Sequence, residues 1–281
     1  MQLGIRLHDI QKAPLEERLK IASEQGFVCA HLALKKVISE YSVDDAALTP
    51  GMALYIQNLF DKYRLDIAVL GNYLNLATPD EAELEKSIHR YMAHIRMASL
   101  MKVGVVGTET GAVNKEYRYE PANHTDEAMN LFIERLKPIV EYAEKMGVIF
   151  AIEPVWKHIV NTPQRARYVL DKIDSPNLQI IFDPVNLLGI DNYNDREHIF
   201  DEAIELLKDD IAVVHIKDFV VKGNELESVA AGTGMMNYEK ILGFIKKKKP
   251  YIHVSLENTK PENAVSTRKY VQRIYDGIRL D

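Results

Sequence analysis

Four ionisable residues end four successive β-rich, apolar runs in the second half of the sequence. They are Glu153, Asp183, His215 and Glu257, and consecutive members are 30, 32 and 42 positions apart. An ionisable group at the end of an apolar strand costs free energy unless a partner or a metal ion compensates it. Three carboxylates and one imidazole form a mostly oxygen ligand set, which suits Mn²⁺, Mg²⁺, Co²⁺ or Fe²⁺ better than a sulfur-rich structural zinc site does. Ordinary hydrogen bonds and salt bridges under the loops are the alternative interpretation.

The elements that must bring these side chains together follow an alternating pattern of short apolar runs and amphipathic helical stretches. We expect strands at about 2–7, 27–33, 66–71, 102–107, 148–153, 178–183, 211–216 and 251–257. We expect helices at about 14–25, 50–64, 80–100, 125–146, 162–173, 196–208, 237–248 and 262–278.

Eight β/α units in 281 residues average about 35 residues each, which is the size of one such unit. The pattern therefore predicts an α/β fold, a single (β/α)8 TIM barrel, with one domain over 1–281. A doubly wound open sheet is the alternative, but no Gly-x-Gly-x-x-Gly follows the first strand.

Local signals support the helix ends. Thr125 and Thr162 precede helical stretches, where a hydroxyl can cap the first turn. Gly26 and Gly147 follow helical stretches, where a left-handed residue ends a helix. The long connections 108–124 and 218–236 follow strands four and seven. Because barrels build active sites at the carboxyl ends of their strands, we expect both connections to form lids or substrate walls.

The amino-acid composition limits the classes of protein to which the chain can belong. The chain is 47% hydrophobic and 27% charged, which is typical of a globular protein with an ample core. A net charge of −6 argues against nucleic-acid or anionic-membrane partners. No secretory signal or run of roughly 20 apolar residues is evident. The single cysteine, Cys29, fits a reducing compartment, so we expect a cytoplasmic protein.

Several short motifs resemble those of the xylose isomerase-like barrel superfamily of sugar isomerases, epimerases and related enzymes. The resemblance covers nearly the whole chain and rests on the order and spacing of the motifs. They are Gly26-Phe27, Leu70-Gly-Asn-Tyr73, Ala151-Ile-Glu-Pro154, Ile181-Phe-Asp-Pro-Val-Asn186, Val214-His-Ile-Lys-Asp218, Gly232-Thr-Gly234 and Ser255-Leu-Glu257.

The resemblance implies one divalent metal ion (Mn, Mg, Co, Fe or Zn) bound by Glu153, Asp183, His215 and Glu257. In ketose 3-epimerases of this superfamily, the two metal-binding glutamates also act as acid and base on opposite faces of the substrate. Glu153 and Glu257 would take those catalytic roles here. The metal would hold neighbouring substrate oxygens and stabilise the charge that develops as a proton leaves carbon.

The sequence departs from several branches of this superfamily. Ketose epimerases usually carry a histidine three residues after the metal aspartate, where this chain has Asn186. Endonuclease IV-like proteins use many more histidines for three zinc ions, whereas this chain has nine histidines and an acidic net charge. The second-metal motifs of xylose isomerase itself are not evident. Inosose dehydratase-like lyases share the one-metal arrangement and remain an alternative.

Further polar residues are candidates for substrate contacts. On strand one, Arg6 and His8 alternate with apolar residues, which predicts that they face the barrel lumen. Lys217 has the same strand parity as His215, although a solvated lysine is equally consistent with the pattern. The predicted substrate-binding residues are Arg6, His8, His31, Asn72, Glu109 (placed after strand four), Trp156, His158, Asn186 and Lys217.

These observations predict a divalent-metal-dependent isomerase or epimerase that acts on a small sugar or sugar derivative by abstracting a proton next to a carbonyl. A metal-dependent lyase and a non-catalytic sugar-binding barrel are the alternatives. The sequence leaves open the sugar, its phosphorylation state, the native metal and whether the chain forms a homo-oligomer.

Overall fold

The structure is a computed structural model that describes residues 1–280. The strands are β1 (Gln2–Arg6), β2 (Cys29–Leu32), β3 (Asp66–Gly71), β4 (Val105–Glu109), β5 (Ile149–Glu153), β6 (Leu178–Phe182), β7 (Ile211–Ile216), β8 (Asp218–Lys222), β9 (Glu225–Val229) and β10 (His253–Leu256). The helices are α1 (Leu15–Glu24), α2 (Leu34–Val37), α3 (Pro50–Tyr63), α4 (Glu81–Leu100), α5 (Asp126–Met146), α6 (Pro163–Ile173), α7 (Arg196–Leu207), α8 (Glu239–Lys248) and α9 (Ala264–Gly277).

Eight parallel strands close into a barrel in the order β1-β10-β7-β6-β5-β4-β3-β2. The predicted (β/α)8 barrel is therefore confirmed. The four strands that carry the predicted ligands, β5, β6, β7 and β10, are consecutive in this order. Their carboxyl ends consequently lie side by side at one end of the barrel. In the part of the chain that the structure describes, no helix is both long and apolar enough to cross a bilayer.

The predicted helix ends are confirmed by hydrogen bonds and backbone angles. The hydroxyl of Thr125 accepts from the N–H of Ala128, and that of Thr162 accepts from the N–H of Arg165. Gly147 ends α5 with φ of 66°, a left-handed conformation that costs glycine little.

The fourth strand was predicted wrongly at 102–107, since it runs from Val105 to Glu109. Lys102 adopts φ of 57° and donates its backbone N–H to Ser99, so the start of the apolar run completes the turn after α4. Glu109 had been expected to lie in the loop after the fourth strand, but it is the last residue of β4.

The long connection after β7 contains an antiparallel hairpin of β8 and β9, which the sequence pattern did not indicate. The buried carboxylate of Asp218 holds this region together. Its Oδ1 accepts the backbone N–H groups of Phe219 and Met236, both at 2.9 Å. Its Oδ2 accepts those of Gly232 and Gly234, at 3.0 and 2.9 Å. The turn at Gly232–Gly234 thus closes around one side chain.

The barrel interior is filled by the fully buried side chains of Val69, Ala151, Ile181 and Val213. Gly107 lies among them. A Cβ at Gly107 would stand 2.6 Å from Ile181 Cδ1 and 2.7 Å from Val69 Cγ1, closer than carbon atoms pack. The layer beneath the carboxyl ends of the strands therefore has no room for another methyl group.

We expect Gly107→Ala to lower the free energy of unfolding by about 1–3 kcal/mol, because overpacking a closed layer forces its neighbours apart. Urea unfolding measures this change. The matched control is Gly104→Ala, where an added Cβ meets nothing within 4 Å. We expect the control to leave stability unchanged or slightly raised. Equal stability of the two variants would contradict this account of the interior.

We expect Asp218→Asn to cost about 2–3 kcal/mol, because an amide N–H₂ must then face backbone donors that had a carboxylate oxygen. Amide hydrogen exchange should accelerate in segment 230–236, and urea unfolding should give the loss of stability. Asp209→Asn, at an exposed carboxylate, is the control and should change neither measurement. Unaltered exchange in Asp218→Asn would show that the carboxylate does not hold the turn.

Candidate active site

The four predicted ligand residues lie at the carboxyl ends of adjacent strands. Glu153 ends β5, His215 is the penultimate residue of β7, and Asp183 and Glu257 directly follow β6 and β10. Their exposed fractions are 2% for Glu153, 1% for Asp183, 0% for His215 and 5% for Glu257. The barrel thus gathers three carboxyl groups and one imidazole in a buried space.

The imidazole of His215 lies between two of the carboxylates. Its Nδ1 is 3.2 Å from Glu153 Oε1 and 3.2 Å from Glu257 Oε1. Single side-chain atoms of Glu153, Asp183 and His215 lie within 4.8 Å of one another. Asp183 and Glu153 thus form one compact group with His215, and Glu257 joins the cluster through its contact with the same imidazole.

Lys217 and Asn186 connect the carboxylates of this cluster. The Lys217 ammonium lies 2.8 Å from Asp183 Oδ2 and 3.3 Å from Glu257 Oε2. It also donates to Asn186 Oδ1 at 2.7 Å, and Asn186 Nδ2 donates to Glu153 Oε1 at 2.8 Å. The amide of Asn186 therefore fixes the positions of both a cation and a carboxylate.

Electrostatic compensation sets the charges of the buried groups. Burial alone would lower the pKa of His215, but the carboxylates of Glu257 and Glu153 outweigh it and raise this pKa to about 9. Burial alone would raise the pKa of Glu257, yet the positive charges of His215 and Lys217 hold it well below its ordinary value. The positive charges of His215 and Lys217 thus together compensate the negative charge of the carboxylates.

Two further carboxyl groups have raised pKa values. Burial raises the pKa of Asp183 to about 6, although the charge of Lys217 opposes the rise. Burial and the nearby charge of Glu153 raise the pKa of Glu109 to about 7. Groups that exchange protons near neutral pH, next to a cavity, are typical of functional sites.

The donor set fits a divalent cation. Nε2 of His215 is buried without a hydrogen-bond partner among residues 1–280, and such an atom is expensive to leave unpaired. His31, His215 and Glu257 form a second group whose single ligand atoms lie within 4.8 Å of one another. Burial holds the pKa of His31 well below its ordinary value, so this imidazole is neutral near pH 7, whereas His215 must release a proton when it binds a metal ion.

A cavity of about 300 Å³, the inner pocket, opens above this cluster. Five predicted substrate-binding residues line it: Arg6, His8, Glu109, Asn186 and Lys217. The remaining lining residues are Lys36, Tyr73, Tyr117, Glu153 and Glu257. Arg6 Nη1 lies 3.3 Å from Glu257 Oε2 and its guanidinium also binds both carboxylate oxygens of Asp9 at 3.1 Å. Glu257 is thereby held by Arg6 at the end of β1 and by Lys217 directly after β7.

Sequence reasoning missed Lys36, Tyr73 and Tyr117. Tyr73 belongs to a motif that was recognised, but its neighbour Asn72 was chosen instead. Asn72 is 9% exposed and does not line the inner pocket. No pattern distinguishes Tyr117 from the other residues of its long loop, or Lys36 on the single-turn helix α2.

The other predicted contacts lie elsewhere. His31 is fully buried beneath the inner pocket, where its Nε2 lies 3.3 Å from the hydroxyl of Tyr73. Trp156 and His158 line a second cavity of about 570 Å³, the outer cavity, beside the inner pocket. His158 Nδ1 is 3.7 Å from Glu109 Oε2, so the two cavities meet near these side chains.

The chain is similar to known proteins over most of its length. It is 24% identical over 230 residues to an uncharacterized protein of Methanocaldococcus jannaschii, covering 80% of this chain and 75% of that protein. It is 29% identical over 157 residues to a probable L-ribulose-5-phosphate 3-epimerase of Mycoplasma pneumoniae. The second match covers 56% of this chain and 48% of the relative, about half the length of each.

Solved structures with the same fold extend the comparison. A D-tagatose 3-epimerase-like protein has a TM-score of 0.77 at 20% identity, covering 98% of this chain and 97% of that chain. The IOLI protein with a bound zinc atom has a TM-score of 0.75 at 17% identity, covering 100% of both chains. The sequence profile described as xylose isomerase-like TIM barrel matches residues 19–274. The chain belongs to the xylose isomerase-like TIM barrel family.

Proposed function

We propose that the chain is a divalent-metal-dependent isomerase or epimerase that moves a proton next to the carbonyl group of a small ketose. One observation carries the proposal: the carboxylates of Glu153 and Glu257 each lie 3.2 Å from the same imidazole nitrogen of His215, and they come from strands on either side of β7. Two carboxylates placed in this way can act as base on one face of a substrate carbon and as acid on the other face.

Glu153, Asp183, His215 and Glu257 would hold the metal, with His31 adjacent to them. A bound divalent cation would polarise neighbouring substrate oxygens and make the adjacent C–H group more acidic. The relatives support the metal and the substrate class, since one similar solved structure contains zinc, another is a D-tagatose 3-epimerase-like protein, and a relative by sequence is a probable L-ribulose-5-phosphate 3-epimerase.

The residues of this chain would divide the remaining tasks. Glu153 and Glu257 would remove a proton from one face of the carbon and return one to the other face. Their positions are fixed by Asn186 on one side and by Arg6 on the other. Both acid–base groups would therefore meet the substrate in set orientations, as efficient proton transfer requires.

Other side chains would bind the sugar hydroxyl groups. Burial raises the pKa of both Tyr73 and Tyr117 well above its ordinary value, so each phenol keeps its proton and can donate a hydrogen bond. Lys217 adds an ammonium group at the same pocket. Asn186 carries no titratable proton, so the proton transfers in this proposal depend on the glutamates alone.

Metal binding is tested by titrating the protein with Mn²⁺, Co²⁺ and Zn²⁺ in a calorimeter. We expect one ion to bind per chain, and we expect His215→Asn to weaken its affinity by more than about 100-fold, since loss of a supporting contact alone costs about 10–100-fold. His89→Asn, an exposed histidine on α4, is the matched control and should bind like the unaltered chain. Equal affinities for the two variants would exclude this metal site.

Catalysis is tested by incubating metal-loaded protein with D-fructose, D-tagatose or D-psicose in D₂O and following the sugar by NMR. We expect deuterium at a carbon next to the carbonyl. We expect Glu153→Gln and Glu257→Gln each to lower the rate by about 10²–10⁴-fold, because each removes an acid–base group. Glu24→Gln, at an exposed carboxylate on α1, should leave the rate unchanged. Metal content measured in every variant separates loss of the ion from loss of proton transfer.

Two results would replace the proposal. Net loss of water from an inosose or a ketose, without epimer formation, would make the chain a lyase. If the chain binds sugars but incorporates no deuterium into them with any of the divalent ions, it is a sugar-binding protein and not an enzyme of this kind.

A further inference from the structure

The outer cavity of about 570 Å³ is larger than the inner pocket of about 300 Å³, and the proposed proton transfer does not use it. Tyr117 and Asn186 line both spaces, so the two cavities adjoin at these side chains. The backbone N–H of Trp156 donates to the carbonyl of Asn186 at 2.7 Å, which fixes the wall of the outer cavity to the site below.

The two spaces differ in chemistry. Polar and tyrosine side chains alone line the inner pocket. Trp156 and Tyr119 form an aromatic wall of the outer cavity, stacked at 5.1 Å between ring centres with 24° between their planes. Leu188 and Leu226 add apolar surface. Because the stacked rings cover part of each other, the aromatic surface left for a ligand is the exposed part of Tyr119 and the edge of the indole. The aliphatic C–H face of a sugar ring packs on such apolar surface, while its hydroxyl groups contact water or polar side chains.

The wall is held in place by its surroundings. A Cβ at Gly189 would stand 2.3 Å from Cε2 of Trp156, so the indole lies directly against the backbone of the loop after β6. His124 Nε2 lies 2.9 Å from the carbonyl oxygen of Trp156. Polar side chains of Asn224 and Ser228, on the hairpin of β8 and β9, also line the cavity. The cavity thus combines a fixed aromatic face with hydrogen-bonding groups.

We infer that the outer cavity binds a second sugar ring, so that the substrate class is a glycosylated ketose: the ketose unit lies in the inner pocket and its glycosyl group against Trp156 and Tyr119. This inference rests on the proposed function, because the ketose must be the part that reacts. A combined space of this size is what a two-ring ligand needs, since pockets of about 300–1,000 Å³ enclose drug-sized molecules.

The charges of the inner pocket argue against a phosphate group held there. Arg6 is paired with Asp9 and Glu257, and Lys217 with Asp183 and Glu257. Among residues 1–280, Lys36 is the one cation of the inner pocket that forms no ion pair with a carboxylate, and it is exposed. Within the inner pocket a phosphate ester would therefore find a single exposed ammonium. The outer cavity adds Arg118 and Lys157 to the aromatic wall, so the test compares the phosphate ester directly with the disaccharides.

The test uses the only tryptophan of the chain, Trp156, as a direct reporter of the outer cavity. Metal-loaded protein is titrated with D-fructose, D-fructose 6-phosphate, lactulose and isomaltulose while tryptophan emission and heat are measured. We expect the two disaccharides to change the emission and to bind about fivefold more tightly than fructose, in keeping with the strength of one aromatic contact. We expect fructose to bind without changing the emission.

Tyr119→Ala should reduce the preference for the disaccharides over fructose by about fivefold, because the outer half of the wall is lost. Tyr251→Ala is the matched control, since Tyr251 is 84% exposed and lies before β10 at the opposite end of the barrel. Disaccharides that bind no better than fructose, that leave the emission unchanged, or that bind less well than the phosphate ester would overturn the inference. The exchange reaction with free ketoses would still stand, so failure of the inference is distinguishable from failure of the proposed function.

Discussion

The structure depends on the compensation of buried negative charge at the carboxyl ends of four adjacent strands. Glu153, Asp183 and Glu257 are nearly inaccessible to solvent, and ionised carboxylates in such a place are strongly unfavourable unless positive groups contact them. His215 and Lys217, both on or directly after β7, supply those contacts. A divalent cation serves the same purpose with a higher charge, which is why a cluster that is costly for folding is suited to binding a metal.

The groups that surround the cluster give it a fixed shape. Asn186 joins Lys217 to Glu153, and the backbone N–H of Val185 donates to Asp183 at 2.9 Å. Asp218 performs a similar task one residue beyond Lys217, because its four backbone contacts anchor the chain where it leaves the barrel. Contacts of this kind fix the orientation of side chains that touch a metal or a substrate. The motif around His215 therefore combines a candidate ligand, a pocket cation and an anchor within four residues.

The sequence was informative wherever strand periodicity determined the geometry. Side chains at the carboxyl ends of neighbouring strands lie close together in a closed parallel barrel, so the proximity of the four strand-end residues could be predicted from the sequence. Prediction failed where local backbone geometry decided the outcome. Lys102 has a left-handed backbone conformation, so β4 begins only at Val105. The irregular conformation of the loop after β4 places Tyr117 at the inner pocket. Neither event leaves a periodic signal, since loop conformation depends on tertiary contacts that a single sequence does not display.

The division between barrel and loops also explains how one family can serve different substrates. Under the proposed function, the barrel supplies the buried charges, and these would determine which chemistry is accessible at the reacting carbon. The outer cavity is built by segments beyond the strands: the loop that carries Tyr119, the loop that carries Trp156, and the hairpin of β8 and β9. Changes in those segments alter what fits beside the reacting sugar without moving the strand ends. Substrate choice in this chain should therefore follow from the wall formed by Trp156 and Tyr119, and the reaction type from the carboxylates below it.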